Sequence, residues 1–203
     1  MLRIGVTGPM ASGKTDVAGR FEERGARLVD GDALGWEVLA EGEVRERLGA
    51  LFGPSVLKPD GSVDRRALGR IVFGDASELD RLNALVQPGL ERRVRESLES
   101  AGGEGVLVLD AALLGAWSSL VPTLDGVVEV AAPIETRIAR LSAFKGFPPD
   151  EARERVLGQR LPPVRGARRT WRIENAGTRA ELLKRADEVW GEIERLRSES
   201  RSG

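Results

Sequence analysis

MLRIGVTGPMASGKTDVAGRF, residues 1–21, decides how the rest of the chain is read. An apolar run, Leu2–Thr7, reads as a short buried strand and stops at a glycine-rich turn. That turn, Gly8-Pro-Met-Ala-Ser-Gly13-Lys14-Thr15, fits G-x-x-x-x-G-K-[ST] without a gap, and helical spacing follows from about Lys14 to Arg24. Glycines let backbone N–H groups of Gly8, Met10, Ala11, Ser12 and Gly13 converge on a phosphate, and the next helix presents its positive end there. Lys14 would reach the outer phosphates, and the Thr15 hydroxyl would face a magnesium ion. Four specified positions can match by chance. A match between a strand and a helix is the context that gives it meaning, and it predicts a nucleoside triphosphate site.

Working outward, strand and helix patterns alternate. Ala26–Asp30 reads as a second strand ending in acids, Gly105–Asp110 (GVLVLD) as a third, and Gly126–Ala131 (GVVEVA) as a fourth. Helical spacing covers Ala33–Gly49, Arg65–Phe73, Ile134–Leu141, Asp150–Gln159 and a charged tail from Arg179 to about Arg197. A long helical pattern over Leu79–Ser100 is interrupted by Pro88, and Leu57–Gly61 reads as a turn. Near-continuous apolar strands alternating with helices predict a parallel sheet covered on both faces, a three-layer α/β domain.

Composition narrows the chemistry. The 203 residues allow one substantial core, or a core with an inserted lid. A net charge of -1 provides no global basic field, which argues against nucleic acid and anionic lipid partners. No stretch approaches a membrane span or a signal peptide, so a cytoplasmic address is expected. Cysteine and histidine are both absent. Thiolate and imidazole metal sites and a histidine general base are therefore excluded, and proton transfer falls to carboxylates, lysine or water.

A carboxylate at the C-terminal end of a parallel strand projects into the crevice where such sheets bind ligands. Val29-Asp30-Gly31-Asp32 supplies two. Either would also suit a helix N-cap ahead of Ala33-Leu34, and two acids in alternation allow one to cap and one to act. Arginines dominate the last third: Arg137 and Arg140 one helical turn apart, then Arg153, Arg155, Arg160, Arg165, Arg168, Arg169 and Arg172. A solvated face accounts for most of them. Arg140 stands out because its helix follows a strand and can point back at the glycine loop. The four tryptophans, Trp36, Trp117, Trp171 and Trp190, are expected mostly in the core.

Taken in order, these motifs resemble the dephospho-CoA kinase family over nearly the whole chain. The resemblance rests on IGVTGPMASGKT, FEERGARLVDGDAL, LFGPSVLKPDGSVDRRALGRIVF and LNALVQPGL. It continues through Leu113-Leu114, PIETRIARL, Gln159 and IENAG. It implies a P-loop nucleoside-kinase-like fold with a parallel sheet, a helical acceptor subdomain and a small lid. The parts would be a core at 1–33, 104–140 and 170–203, an acceptor-binding helical part at about 34–98, and a lid at about 141–165. It implies ATP with Mg2+ as co-substrate and dephospho-CoA as acceptor, in a monomer or weak homo-oligomer. Asp32 would be the catalytic carboxylate, Lys14 and Thr15 the phosphate and magnesium residues, and Arg140 a cation over the ATP phosphates. Asn175 would lie near adenine, with Arg65, Gln87 and Leu113 on the acceptor side.

The chain also departs from the family pattern. Gln87-Pro88 replaces His-Pro, and Ala112-Leu113-Leu114-Gly115-Ala116 replaces Pro-Leu-Leu-hydrophobic-Glu. Phe144-Lys145 stands where an arginine is common, and Arg169-Thr170 where an Ala-Asp pair precedes the final strand. A glutamine cannot carry the positive charge of an imidazolium. These changes define an alternative, a divergent paralogue that binds ATP but has lost or changed its acceptor.

Overall fold

The structure is a computed structural model and describes residues 1–72 and 75–202. Five parallel strands, β1 (Leu2–Thr7), β2 (Arg27–Asp30), β3 (Val106–Asp110), β4 (Gly126–Ala131) and β5 (Thr170–Glu174), form one sheet in the order β2-β3-β1-β4-β5. The chain divides into two compact units, Met1–Asp30 with Glu96–Gly203, and Gly31–Arg95.

The first unit holds the whole sheet. β3 reads VLVLD and all five residues are buried, as expected of an inner strand covered on both faces. Helices α1 (Lys14–Glu23) and α8 (Arg179–Ser202) cover one face. Ile4, Val6, Val108, Val128 and Val130 pack there against Val17, Phe21, Leu182, Ala186 and Ile193. Phe21 and Trp190 meet with ring centroids 5.4 Å apart. On the opposite face Gly5 leaves room for Leu114 and Leu124, from the irregular segment after β3. Helices α6 (Ile134–Lys145) and α7 (Pro149–Gly158) pack on each other through Ile138, Leu141, Ala152 and Val156.

An ion-pair cluster ties α1 to α8. The Arg20 guanidinium forks onto Asp187 with two bonds of 2.9 Å, and Arg24 adds a third at 3.0 Å. Arg20 first, then Arg24, holds the Asp187 carboxyl well below the usual carboxylate range. Its folded pKa is therefore below its unfolded one. The stability it contributes is complete above the unfolded carboxylate pKa and is lost as pH falls toward the folded value. Asp187→Asn should cost about 1 kcal/mol at neutral pH, since the cluster is partly solvated. Thermal melts between pH 5 and pH 2 should show a shallower acid-side decline in the variant than in the parent. Parallel declines would remove the pair as a source of acid sensitivity.

The second unit is helical: α2 (Gly31–Ala40), α3 (Gly42–Phe52), α4 (Arg65–Val72) and most of α5 (Ala76–Ser100). The single helix expected over Ala33–Gly49 is two helices. Glu41 adopts an extended conformation, caps α3 and turns its carboxylate onto Arg93 at 2.8 Å. Pro88 does not interrupt α5. An interior proline costs about 3 kcal/mol, and here the buried stripe Leu85, Val86, Leu90 and Val94 continues on both sides of it. Of the helix expected over Arg65–Phe73, Phe73 lies outside the described residues. Two tryptophans, Trp117 and Trp190, are buried in the core, whereas Trp36 and Trp171 are half-buried.

Candidate active site

The glycine loop joins β1 to α1 at the C-terminal edge of the sheet, where β1 lies between β3 and β4. Ser12 N–H closes the turn onto the Pro9 carbonyl at 3.0 Å. Ala11 has φ 59° and Gly13 φ 94°, two excursions into the left-handed region on either side of Ser12. For an alanine that conformation is strained, and such strain persists where the surroundings over-determine the loop.

Those surroundings are specific. Asn175 is buried, with its backbone N–H on the Ala131 carbonyl at 2.7 Å and its side-chain amide donating to the Ser12 carbonyl at 2.7 Å. Arg140, from α6, donates to Asn175 Oδ1 at 3.0 Å, to the Gly177 carbonyl at 3.1 Å and to the Ala11 carbonyl at 3.5 Å. The Ala11 and Ser12 carbonyls are thereby held by donors. The first-turn N–H groups of α1 are ones that a helix leaves without internal partners. The Met10 N–H is held by Gln159 Oε1, just beyond α7, at 2.7 Å. Leu141 of α6 packs in one apolar cluster with Met10 and Ala11.

Lys14 extends from the first turn of α1 to Asp110, at the C-terminal end of β3, and forms a largely buried ion pair with it. Thr7, ending β1, donates its hydroxyl to the Ala112 carbonyl at 3.1 Å. Thr15 is exposed at the start of α1. Among the described residues no cluster of three or more acidic, histidine or cysteine side chains could cage a metal. A hydroxyl beside a phosphate loop, with a carboxylate on the adjoining strand, is the donor set that magnesium shares with phosphate oxygens and water.

Gly13 has no room for a side chain. A Cβ there would collide with the Asn175 amide and come within 2.8 Å of Leu182, at a backbone angle that disfavours any L-residue. Gly13→Ala should displace Asn175, cost about 1–3 kcal/mol in a thermal melt and weaken ATP binding at least about tenfold. Parent-like binding would mean that the Asn175 brace does not shape the loop.

In the helical unit, Asp32 is exposed in the first turn of α2, immediately after β2 ends at Asp30. A carboxylate there is favoured by the helix dipole. Arg65 opens α4 and stacks its guanidinium over Trp36, 4.0 Å from the ring centroid. Asp64 caps the same helix by accepting the Arg66 and Ala67 N–H groups at 2.9 Å, and those bonds lower its pKa. Gln87 donates to Glu91 at 2.9 Å, one turn along α5. Leu113 lies after β3, its carbonyl accepting the Ala116 N–H at 2.8 Å.

A family model described as Dephospho-CoA kinase matches residues 2–181. The chain belongs to the dephospho-CoA kinase family. The dephospho-CoA kinase of Thermobifida fusca is 38% identical over 196 residues, covering 96% of this chain and 98% of that one. A crystal structure of TT1252 from Thermus thermophilus superposes with a TM-score of 0.72 at 35% identity, covering 95% of this chain and 97% of that one. The dephospho-CoA kinase from Campylobacter jejuni, 20% identical with a TM-score of 0.57 over 94% of this chain and 96% of that one, shares the fold. At Gly115 a Cβ would strike the Pro162 carbonyl and come within 3.0 Å of Pro163, so the backbone at 162–163 fills the place a larger side chain would need.

Three features of the site escaped sequence reasoning. Asp110 closes an apolar strand and reads as its end. Only the strand order brings it to Lys14, 96 residues away. Asn175 is expected near adenine, and the structure shows it bracing Ser12. Arg137, one turn before Arg140 and read as one of a solvated series, is buried.

Proposed function

We propose that this protein transfers the γ-phosphoryl group of ATP to the 3′-hydroxyl of dephospho-CoA, the last step of coenzyme A biosynthesis. The observation that carries this reading is the family match over residues 2–181, which runs through both the glycine loop and Asp32. The sheet unit acts as the nucleotide core, residues 34–98 as the acceptor-binding part, and 141–165 as a lid. No helix of the described residues is long and apolar enough to cross a membrane. The site of action is the cytoplasm, and the enzyme works as a monomer or weak homo-oligomer.

In this mechanism loop amides other than those of Met10 and Ser12, which donate to Gln159 and Pro9, join the Lys14 ammonium in holding the β- and γ-phosphates. Asp110 keeps Lys14 in place and shares its charge. Asp32 accepts a hydrogen bond from the ribose hydroxyl and takes its proton as the phosphorus–oxygen bond forms and ADP departs. Arg140 offsets charge on the transferring group, and its three present acceptors are all neutral oxygens. Asn175 borders the adenine side. Arg65, Gln87 and Leu113 receive the acceptor. Thr15 and Asp110 would hold Mg2+, which when bound neutralises phosphate charge. Positioning and electrostatics thus supply most of the rate, and lid closure keeps water from competing with the acceptor.

Purified protein with ATP, magnesium and dephospho-CoA should form CoA and ADP in equal amounts. Tight ATP binding without CoA formation would overturn the acceptor assignment and identify a divergent paralogue.

A further inference from the structure

Arginines in the sheet unit are well supplied with carboxylates. Arg20 and Arg24 share Asp187, and Arg153 meets Glu135 at 3.1 Å. Arg155 pairs with Glu151 at 2.8 Å, and Arg179 with Asp16 at 2.7 Å. Arg137 differs from all of these. It is 8% exposed, its side chain has no hydrogen bond or ion pair with any described residue, and its Nε is fully enclosed. Burial alone pulls its pKa below the ordinary arginine value. A guanidinium nevertheless stays charged in a protein. Removing a cation from water without a counter-charge is among the costlier things a fold can do.

Its position indicates what balances that cost. Residues 137, 140 and 141 share one face of α6, at spacings of three and four. Leu141 on that face packs with Met10 and Ala11, and Arg140 reaches the Ala11 carbonyl. Side chains on a helix lean toward its N-terminus, so Arg137 leans toward the C-terminal end of β4, the sheet edge that carries the glycine loop. This face of α6 therefore offers two guanidinium groups to the loop, and neither has a carboxylate partner among the described residues.

We propose that Arg137 is a further phosphate-binding residue, donating from its guanidinium to an oxygen of the phosphate chain of bound ATP. Arg137 and Arg140 then share the phosphate charge from one side while Lys14 and the loop amides hold it from the other. The assignment rests on the kinase reading above. It explains why a buried cation is kept where a neutral side chain would fold more readily.

Calorimetric titration of ATP, without acceptor, into the parent protein and into Arg137→Met, Arg137→Gln and Arg137→Lys tests the proposal. ATP binding by the parent is the control, and failure there would count against the kinase reading itself. Given that binding, Arg137→Met and Arg137→Gln should each weaken ATP about tenfold or more, with Arg137→Lys recovering part of the loss. Adenosine, which has no phosphates, should bind all four proteins alike. Nucleotide-free melting temperatures of Arg137→Met and Arg137→Gln should equal or exceed the parent's, because an uncompensated buried charge is gone. ATP affinity within twofold of the parent in both neutral variants would overturn the proposal. A loss of melting temperature with ATP binding intact would do the same, and would make Arg137 a packing residue only. If Arg137→Met fails to fold, Arg137→Gln decides the matter alone.

Discussion

Asp32→Asn should lower turnover on dephospho-CoA by about a hundredfold to ten-thousandfold while ATP affinity changes little. The expectation follows from the role that the family resemblance implies for Asp32. No histidine or cysteine exists in the chain to take the proton of the attacking hydroxyl. Asp32 is an exposed carboxylate in the first turn of α2, directly after a strand of the parallel sheet ends. Asparagine keeps the shape and can still accept a hydrogen bond through its carbonyl oxygen, but it cannot take a proton at neutral pH. The measurement is kcat for CoA formation beside a calorimetric ATP titration of the same preparation. Parent-like kcat would remove Asp32 from the chemistry. A parallel fall in ATP affinity would turn it into a residue of the nucleotide site.

Lys14→Ala should abolish measurable transfer and also destabilise the protein by about 3 kcal/mol. Two effects are superposed, and they can be separated. In the proposed mechanism Lys14 neutralises the outer phosphates during transfer, a role no neighbouring backbone group can assume. In the protein without nucleotide, the same ammonium compensates the buried carboxylate of Asp110. Removing the lysine leaves that carboxylate without this counter-ion, and breaking a buried pair costs more than removing both members. Lys14→Ala combined with Asp110→Ala should therefore regain most of the melting temperature and none of the activity. An additive double variant would show that the pair contributes nothing to stability.

The strand–loop–helix opening of the chain was legible because its determinants are local: an apolar run, glycines at the turn and the spacing of Lys14 and Thr15. Four of the five strands were readable for the same reason. The fifth, Thr170–Glu174, has only one buried residue, Ile173, so its pattern hardly signals a strand, and the family resemblance supplied it. Pro88 pointed to a break because proline reports on a local preference, whereas the continuity of α5 is decided by apolar residues on either side of it. The misreading of Arg137 has the same origin. Beside Glu135 and Arg140 it looks like part of a solvated helix, and only the packing of α6 buries it. Asp110 needed the strand order, which no local pattern encodes.

The brace between Asn175 and Ser12 links positions 163 residues apart, and that separation has a consequence for how the chain is made. During synthesis the glycine loop emerges long before its support. β1 itself pairs only with β3 and β4, both more than a hundred residues downstream of its start. Contacts so distant in sequence form late and slowly. A nascent chain thus exposes the glycine loop long before the brace that shapes it can form, and the loop is fully supported only after β5 and Asn175 have emerged.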